Sequence, residues 1–200
     1  ACAKYKKAIE LKPNDALFRA NYARALTKSG QEEEGIKQLE MAYQLNPRDR
    51  IILSALAGKC IEAGNFDTAI NLLEQGTFLF PQSAQMHDKL SYVFAKAGNY
   101  SQSLAHAREA VKLDPKLVSA KINLGSALLM KGNCQEAKSI YQETTSIDPK
   151  NADAHFLLAT TMERLGDTSG ARSELTTFLE LANKSDPRLT KAKEKLDSLK

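Results

Sequence analysis

A protein built only of α-helices, stacked as repeated pairs, is the fold that this sequence of 200 residues predicts. Three observations predict it. Five prolines, Pro13, Pro47, Pro81, Pro115 and Pro149, stand 34 residues apart. Five glycines, Gly30, Gly64, Gly98, Gly132 and Gly166, keep the same interval. Between these marks the apolar residues are spaced by three, four and seven, which is the period of an amphipathic helix. A strict period of this length is the mark of a repeat array, not of a single globular core.

The elements follow in order. Tyr5, Ala8, Leu11 and Pro13 already stand in register, and Ala1 matches a small helix residue, so 1–15 reads as the second helix of a repeat that begins upstream. The sequence is therefore expected to be a piece of a longer protein. Five full periods then run over 16–49, 50–83, 84–117, 118–151 and 152–185. Each opens with a helix that ends at the register glycine, where a left-handed residue commonly closes a helix. Each continues with a second helix that stops before the proline, which cannot extend it. Small residues recur at the eighth place (Ala23, Ala57, Ser91, Gly125, Ala159) and the twentieth (Gly35, Ala69, Ser103, Ala137, Ala171). Ala42, Gly76, Ala110 and Thr144 continue the pattern at the twenty-seventh place, which Phe178 breaks. Large apolar residues hold the seventh place (Tyr22, Leu56, Leu90, Leu124, Leu158) and the thirtieth (Leu45, Leu79, Leu113, Ile147, Leu181). Small against large lets helix backbones approach and fills the gap between them. The register then stops, and Ser185-Asp186-Pro187 opens a last helix over 186–200. Its narrow stripe of Leu189, Ala192, Leu196 and Leu199 faces away from Lys191, Lys193, Glu194, Lys195 and Asp197, which suits a solubilising cap.

The fourth period, with Leu124-Gly125, Ala137 and Asp148-Pro149 in place, resembles the tetratricopeptide repeat (TPR), and the resemblance runs from residue 1 to about 185. It implies a right-handed α-solenoid with a concave groove lined by the first helix of each repeat. Arg19, Leu53, His87, Lys121 and His155 stand where that family carries a first-helix aromatic, and Glu32 and Thr168 replace the aromatic that Phe66 and Tyr100 keep. The family's chaperone-tail clamp needs Lys, Asn and Arg at fixed groove places, and Ala20, Ala55, Asp88 and Leu157 do not supply them. Its peptide-holding Asn ladder survives only at Asn21 and Asn123, and is lost at Ala55, Lys89 and Leu157.

Composition and motifs exclude several function classes. Apolar residues make 42%, charged residues 26%, and no apolar run is long enough to cross a membrane. A net charge of +4, dispersed along the chain, gives no footprint for nucleic acid. Gly30 to Gly35 has the glycine spacing of a phosphate loop, but Glu32, Glu33 and Glu34 would repel phosphate and instead suit a helix N-terminus. His87 and His155, 68 residues apart, do not converge on a metal, and no cofactor is expected. Cys60 and Cys134 lack a neighbouring His, so no catalytic thiol is read and the protein is expected not to be an enzyme. Three thiols without evident partners point to a reducing, cytoplasmic setting, with a periplasmic or membrane-attached parent as the alternative. Ala1-Cys2 as a lipoprotein scar is set against Cys2 lying in helical register, and Asn99 and Asn183 open glycosylation sequons of a kind common by chance.

What remains is a scaffold that binds a protein or peptide. The resemblance places the first-helix stripe in the groove, with Leu17, Ala20, Arg24, Ile51, Ser54 and Gly58 in the first two repeats. The expected partner site is further along: Asp88, Tyr92, Lys96, Ile122, Asn123, Ser126, Leu129, Phe156 and Thr160, with Phe156 as the strongest anchor. Regular repeats of this kind resemble bacterial pilus, secretion and envelope scaffolds. The alternative is the targeting arm of a larger glycosyltransferase or sulfotransferase. Association through the array ends is a further expectation.

Overall fold

The computed structural model describes residues 2–199, so Ala1 and Lys200, both assigned above to helices, lie outside the described residues. Among the described residues there are twelve α-helices and no strand. They are α1 (Cys2–Leu11), α2 (Ala16–Lys28), α3 (Glu32–Leu45), α4 (Arg50–Glu62), α5 (Phe66–Leu79) and α6 (Ala84–Lys96), then α7 (Tyr100–Leu113), α8 (Val118–Met130), α9 (Cys134–Ile147), α10 (Ala152–Arg164), α11 (Thr168–Leu181) and α12 (Leu189–Ser198). The fold is the expected all-α array of helix pairs.

The two registers have separate physical jobs. The five register glycines have φ between +75° and +82°, and no other described residue has positive φ. That conformation lets the next amide reach back five residues, as Gln31 N–H does to Leu26 O (3.0 Å) and Asn133 N–H to Leu128 O (2.9 Å), closing the first helix of a pair. Side-chain caps open many of the helices: Asp15, Asp49 and Asn151 accept from the first-turn amides of α2, α4 and α10, and Asn99 and Asp167 do so for α7 and α11.

At three of the five places where the family aromatic is missing, a polar side chain ties down the proline turn six residues earlier, while Leu53 is simply buried in the core. Arg19 donates to Pro13 O at 2.8 and 3.0 Å, His87 Nε2–H to Pro81 O at 3.2 Å, and His155 Nε2–H to Pro149 O at 3.1 Å. Lys121 departs from this and pairs with Glu143 at 2.7 Å.

The helices form two compact units, one ending at Ala97 and the other beginning at Gly98. In the first, Leu39, Ile52, Leu53, Leu73, Met86 and Leu90 form a continuous buried core. In the second, Tyr141 is fully buried beside Gly125, and burial pushes its phenol well above its usual pKa, while its hydroxyl hydrogen-bonds to Ser126 Oγ at 3.0 Å. The small residues at the eighth and twentieth places are all buried, as required for close helix packing. The thirtieth place differs from expectation: Leu45, Ile147 and Leu181 are exposed. Each is the last residue of its helix, as are Leu79 and Leu113, which stay half-buried. Helix α12 packs Ala192, Leu189 and Leu196, with Leu199 just beyond, against Leu175 and Phe178.

The packing makes a graded prediction. A Cβ on Gly125 would stand 2.5 Å from the Tyr141 ring, and one on Gly76 would meet Met86 Sδ at 2.7 Å. The ring is held on all sides, whereas the thioether can rotate. Gly125→Ala is expected to cost about 1–3 kcal/mol and Gly76→Ala less, measured by urea unfolding. Tyr141→Leu in the Gly125→Ala background should recover part of the loss.

Candidate functional site

The expected site residues do not share one fate. On α6, Tyr92 is exposed, with Lys96 Nζ 5.3 Å from its ring centroid, and Asp88 is half-buried. On α8, Ile122 and Asn123 are half-buried and retain surface. Ser126 is tied to the Tyr141 hydroxyl, and Thr160 donates back to Phe156 O at 2.9 Å. Leu129 is a correction: at 9% exposure it belongs to the core of the second unit, because its face of α8 packs inward with Leu128 and Leu124.

Phe156 is the second correction of emphasis. It is half-buried, its ring centroid lies 5.0 Å from that of Phe178, and the Arg188 guanidinium sits 5.2 Å from both rings. Arg188 is fixed in turn by Asp153 at 2.5 Å and Asp186 at 2.6 Å. Lys195 pairs with Glu163, and Arg172 donates to Leu196 O and Leu199 O. The segment leading into α12 therefore covers Phe156, the expected strongest anchor.

A cavity of about 480 Å³ lies in the first unit, lined by α2 and α4, by Gly35 and Leu39 of α3 and by Lys89 of α6. Its apolar wall includes Leu17, Ala20, Ile51 and Ala55, and Ile51 is 63% exposed. Gly58 leaves open space there, since a Cβ would meet only Lys89 Nζ, at 3.8 Å. A second depression of about 360 Å³ adjoins it through Ile51, Ser54, Ala55 and Lys89. The stripe of Leu17, Ala20, Arg24, Ile51, Ser54 and Gly58 read from the sequence lines the first cavity, although the expected site was placed elsewhere. The overlooked signal was Gly58: it is a missing side chain at a place that holds Arg24, Tyr92, Ser126 and Thr160 in the other periods.

The cavity rim carries Arg24, Lys28, Lys59 and Lys89 against Glu62. Lys59 is already paired, with Glu32 and Glu62 both at 2.6 Å, and those hydrogen bonds, Glu32's first, raise its pKa. Lys89 is half-buried and donates to Ser54 O and Ser54 Oγ, both at 2.9 Å, and burial pushes its pKa down. Among the described residues no group of His, Cys, Asp and Glu is placed to hold a metal, and no helix is long and apolar enough to cross a membrane.

Three family models, each described as tetratricopeptide repeat, match residues 4–37, 61–118 and 128–196. No curated protein matches the sequence. Among solved structures, the chain is similar to YrrB, described as a TPR protein with an unusual peptide-binding site, at 21% identity and a TM-score of 0.73 over 98% of this chain and 100% of that one. MamA from Desulfovibrio magneticus RS-1 is similar at 20% identity and a TM-score of 0.74, over 86% and 97% of the two chains. Yeast Tom70 is similar at 16% identity and a TM-score of 0.77, over 99% of this chain and 42% of that one. At such identities the likeness carries the fold alone.

Two outcomes are expected from the covering of Phe156. Phe156→Ala should lower stability by about 2 kcal/mol with no partner present, from lost burial and the lost aromatic pair, as read by thermal unfolding. The second concerns pH. Hydrogen bonds from Arg188, side chain first, hold the Asp186 carboxyl down to about 2. That lies below its unfolded value of ~3.9. The pairing therefore stabilises above ~pH 4 and is lost as pH falls through about 2. Protection of α12 amides, taken relative to their intrinsic exchange rate at each pH, should fall over that window in the wild type, and Asp186→Asn should already show reduced protection at pH 5.

Proposed function

We propose that this chain, which belongs to the tetratricopeptide repeat family, is a non-catalytic protein-interaction module that takes a peptide segment of its partner into the cavity among α2, α4 and α6. The family mediates protein–protein interaction. The observation that carries the reading is the cavity itself, about 480 Å³, walled by apolar side chains and left open at Gly58. Ligand sites are typically concave and mostly apolar, with a few polar groups at fixed places. Leu17 and Ile51 are 49% and 63% exposed in that wall, which favours a partner that buries them. Tyr92 and Lys96 on α6 would continue the binding face within the first unit, while in the second the expected positions other than Leu129 are half-buried.

A cavity-filling substitution tests this without attacking the core. Gly58 lies inside α4, where leucine is a better helix former, so Gly58→Leu should keep or raise the thermal midpoint. Peptides selected from a displayed random library on the wild-type protein should lose at least ~10-fold in affinity for Gly58→Leu. Retained affinity, with the circular-dichroism spectrum unchanged, would move the site elsewhere.

A further inference from the structure

We propose that the occupant of this cavity is an internal acidic segment: an aliphatic side chain seated against Leu17 and Ile51, with side-chain carboxylates on either side of it held by Lys89 and by Arg24 and Lys28. The inference rests on the groove reading above and names the partner's chemistry.

Charge bookkeeping at the rim is the starting point. Among the described residues, no carboxylate lies within 4.0 Å of the cationic groups of Arg24, Lys28 or Lys89. Arg24 makes one hydrogen bond, to Asn21 Oδ1 at 3.1 Å. Lys59, the remaining cation of the rim, is the one that the chain neutralises itself, through Glu32 and Glu62. The cavity therefore offers three cations without a direct ion-pair partner around an apolar wall, with Glu62 and Asp88 attracting Lys89 only from a distance, a potential complementary to an acidic ligand.

Lys89 is the most informative of the three. Its two bonds to Ser54 fix the ammonium at the cavity wall, 3.8 Å from where a Gly58 Cβ would be, and leave one of its three N–H groups for an incoming acceptor. Partial burial disfavours the Lys89 charge more than the attraction of Asp88 and Glu62 restores it, and a carboxylate hydrogen-bonded there would relieve the remaining penalty. Position also separates internal carboxylates from a chain end. Arg24 and Lys28 stand on α2 and Lys89 on α6, with Ile51 and Gly58 of α4 in the same cavity. Cations on separate helices call for carboxylates on separate residues, and a chain terminus supplies only one.

Short peptides with blocked termini test the proposal by titration calorimetry at up to ~1 mM. The probe is acetyl-Gly-Glu-Glu-Leu-Glu-Glu-Gly-amide, compared with a version in which every Glu is Gln and another in which Leu is Ala. The acidic probe should bind at least ~10-fold more tightly than either, with affinity falling as salt rises. Lys89→Met keeps the aliphatic stem and should weaken the acidic probe ~10-fold while leaving the Gln version unchanged. Since burial opposes the Lys89 charge, the same variant should unfold at an equal or higher temperature at neutral pH, which separates lost binding from lost fold. Lys116→Met, at an exposed site in the second unit, should change nothing.

Equal binding of the Glu and Gln probes would overturn the acidic class while leaving the groove in place. So would library peptides that lack acids yet fail on Gly58→Leu. An equal loss from Lys116→Met would show attraction to overall charge and overturn it. Absence of any binding by the acidic probe would overturn it too. Recovery of the Gln version on freeing its C-terminus would assign the carboxylate to a chain end and overturn the internal segment.

Discussion

The close approach of neighbouring helices at a few small residues is the constraint on which this structure depends. Gly125 must be without a side chain because the Tyr141 ring occupies that volume. Ala57, Ala69, Ala137 and Ala171 are fully buried at equivalent contacts. No single pair of short helices buries enough apolar surface to stand alone, so contacts must be repeated with every period. That requirement explains why the spacing is kept so strictly and why large side chains appear opposite small ones.

Close packing also decides where function can be placed. Residues turned toward a neighbour, such as Leu129, are absorbed into the core. The lining of the α2–α4–α6 cavity escapes that fate because its positions are short: Ala20, Ser54, Ala55 and Gly58 leave a trough instead of filling it. The charged rim then sits over apolar ground, where electrostatic interactions are screened less than on an open surface. Lys89 is held half out of water by Ser54, where burial opposes its charge.

Much of the fold was legible in the sequence because its signals are local. A glycine every 34 residues marks a left-handed residue, a proline marks a stop, and apolar spacing marks the buried face. The site was less legible. Phe156 reads as an exposed aromatic from its place in the period, yet its covering groups come from Phe178 and Arg188, outside any helical spacing rule. The Lys89–Ser54 bond links residues 35 apart and leaves no mark in composition. Gly58 was visible as a letter, but its meaning as empty space needed the neighbouring helices in position.

The polar grip on the proline turns has a consequence for how such a chain can grow. Arg19, His87 and His155 each hold a carbonyl only six residues earlier, so the bond that shapes the entry to a helix pair is encoded within a single short stretch. An aromatic in that place would depend on the pocket that surrounds it. A hydrogen bond to the nearby main chain travels intact when the segment is copied. Donor and carbonyl belong to successive periods, so a duplicated or exchanged repeat brings the side chain and finds its acceptor in the proline turn that every period ends on.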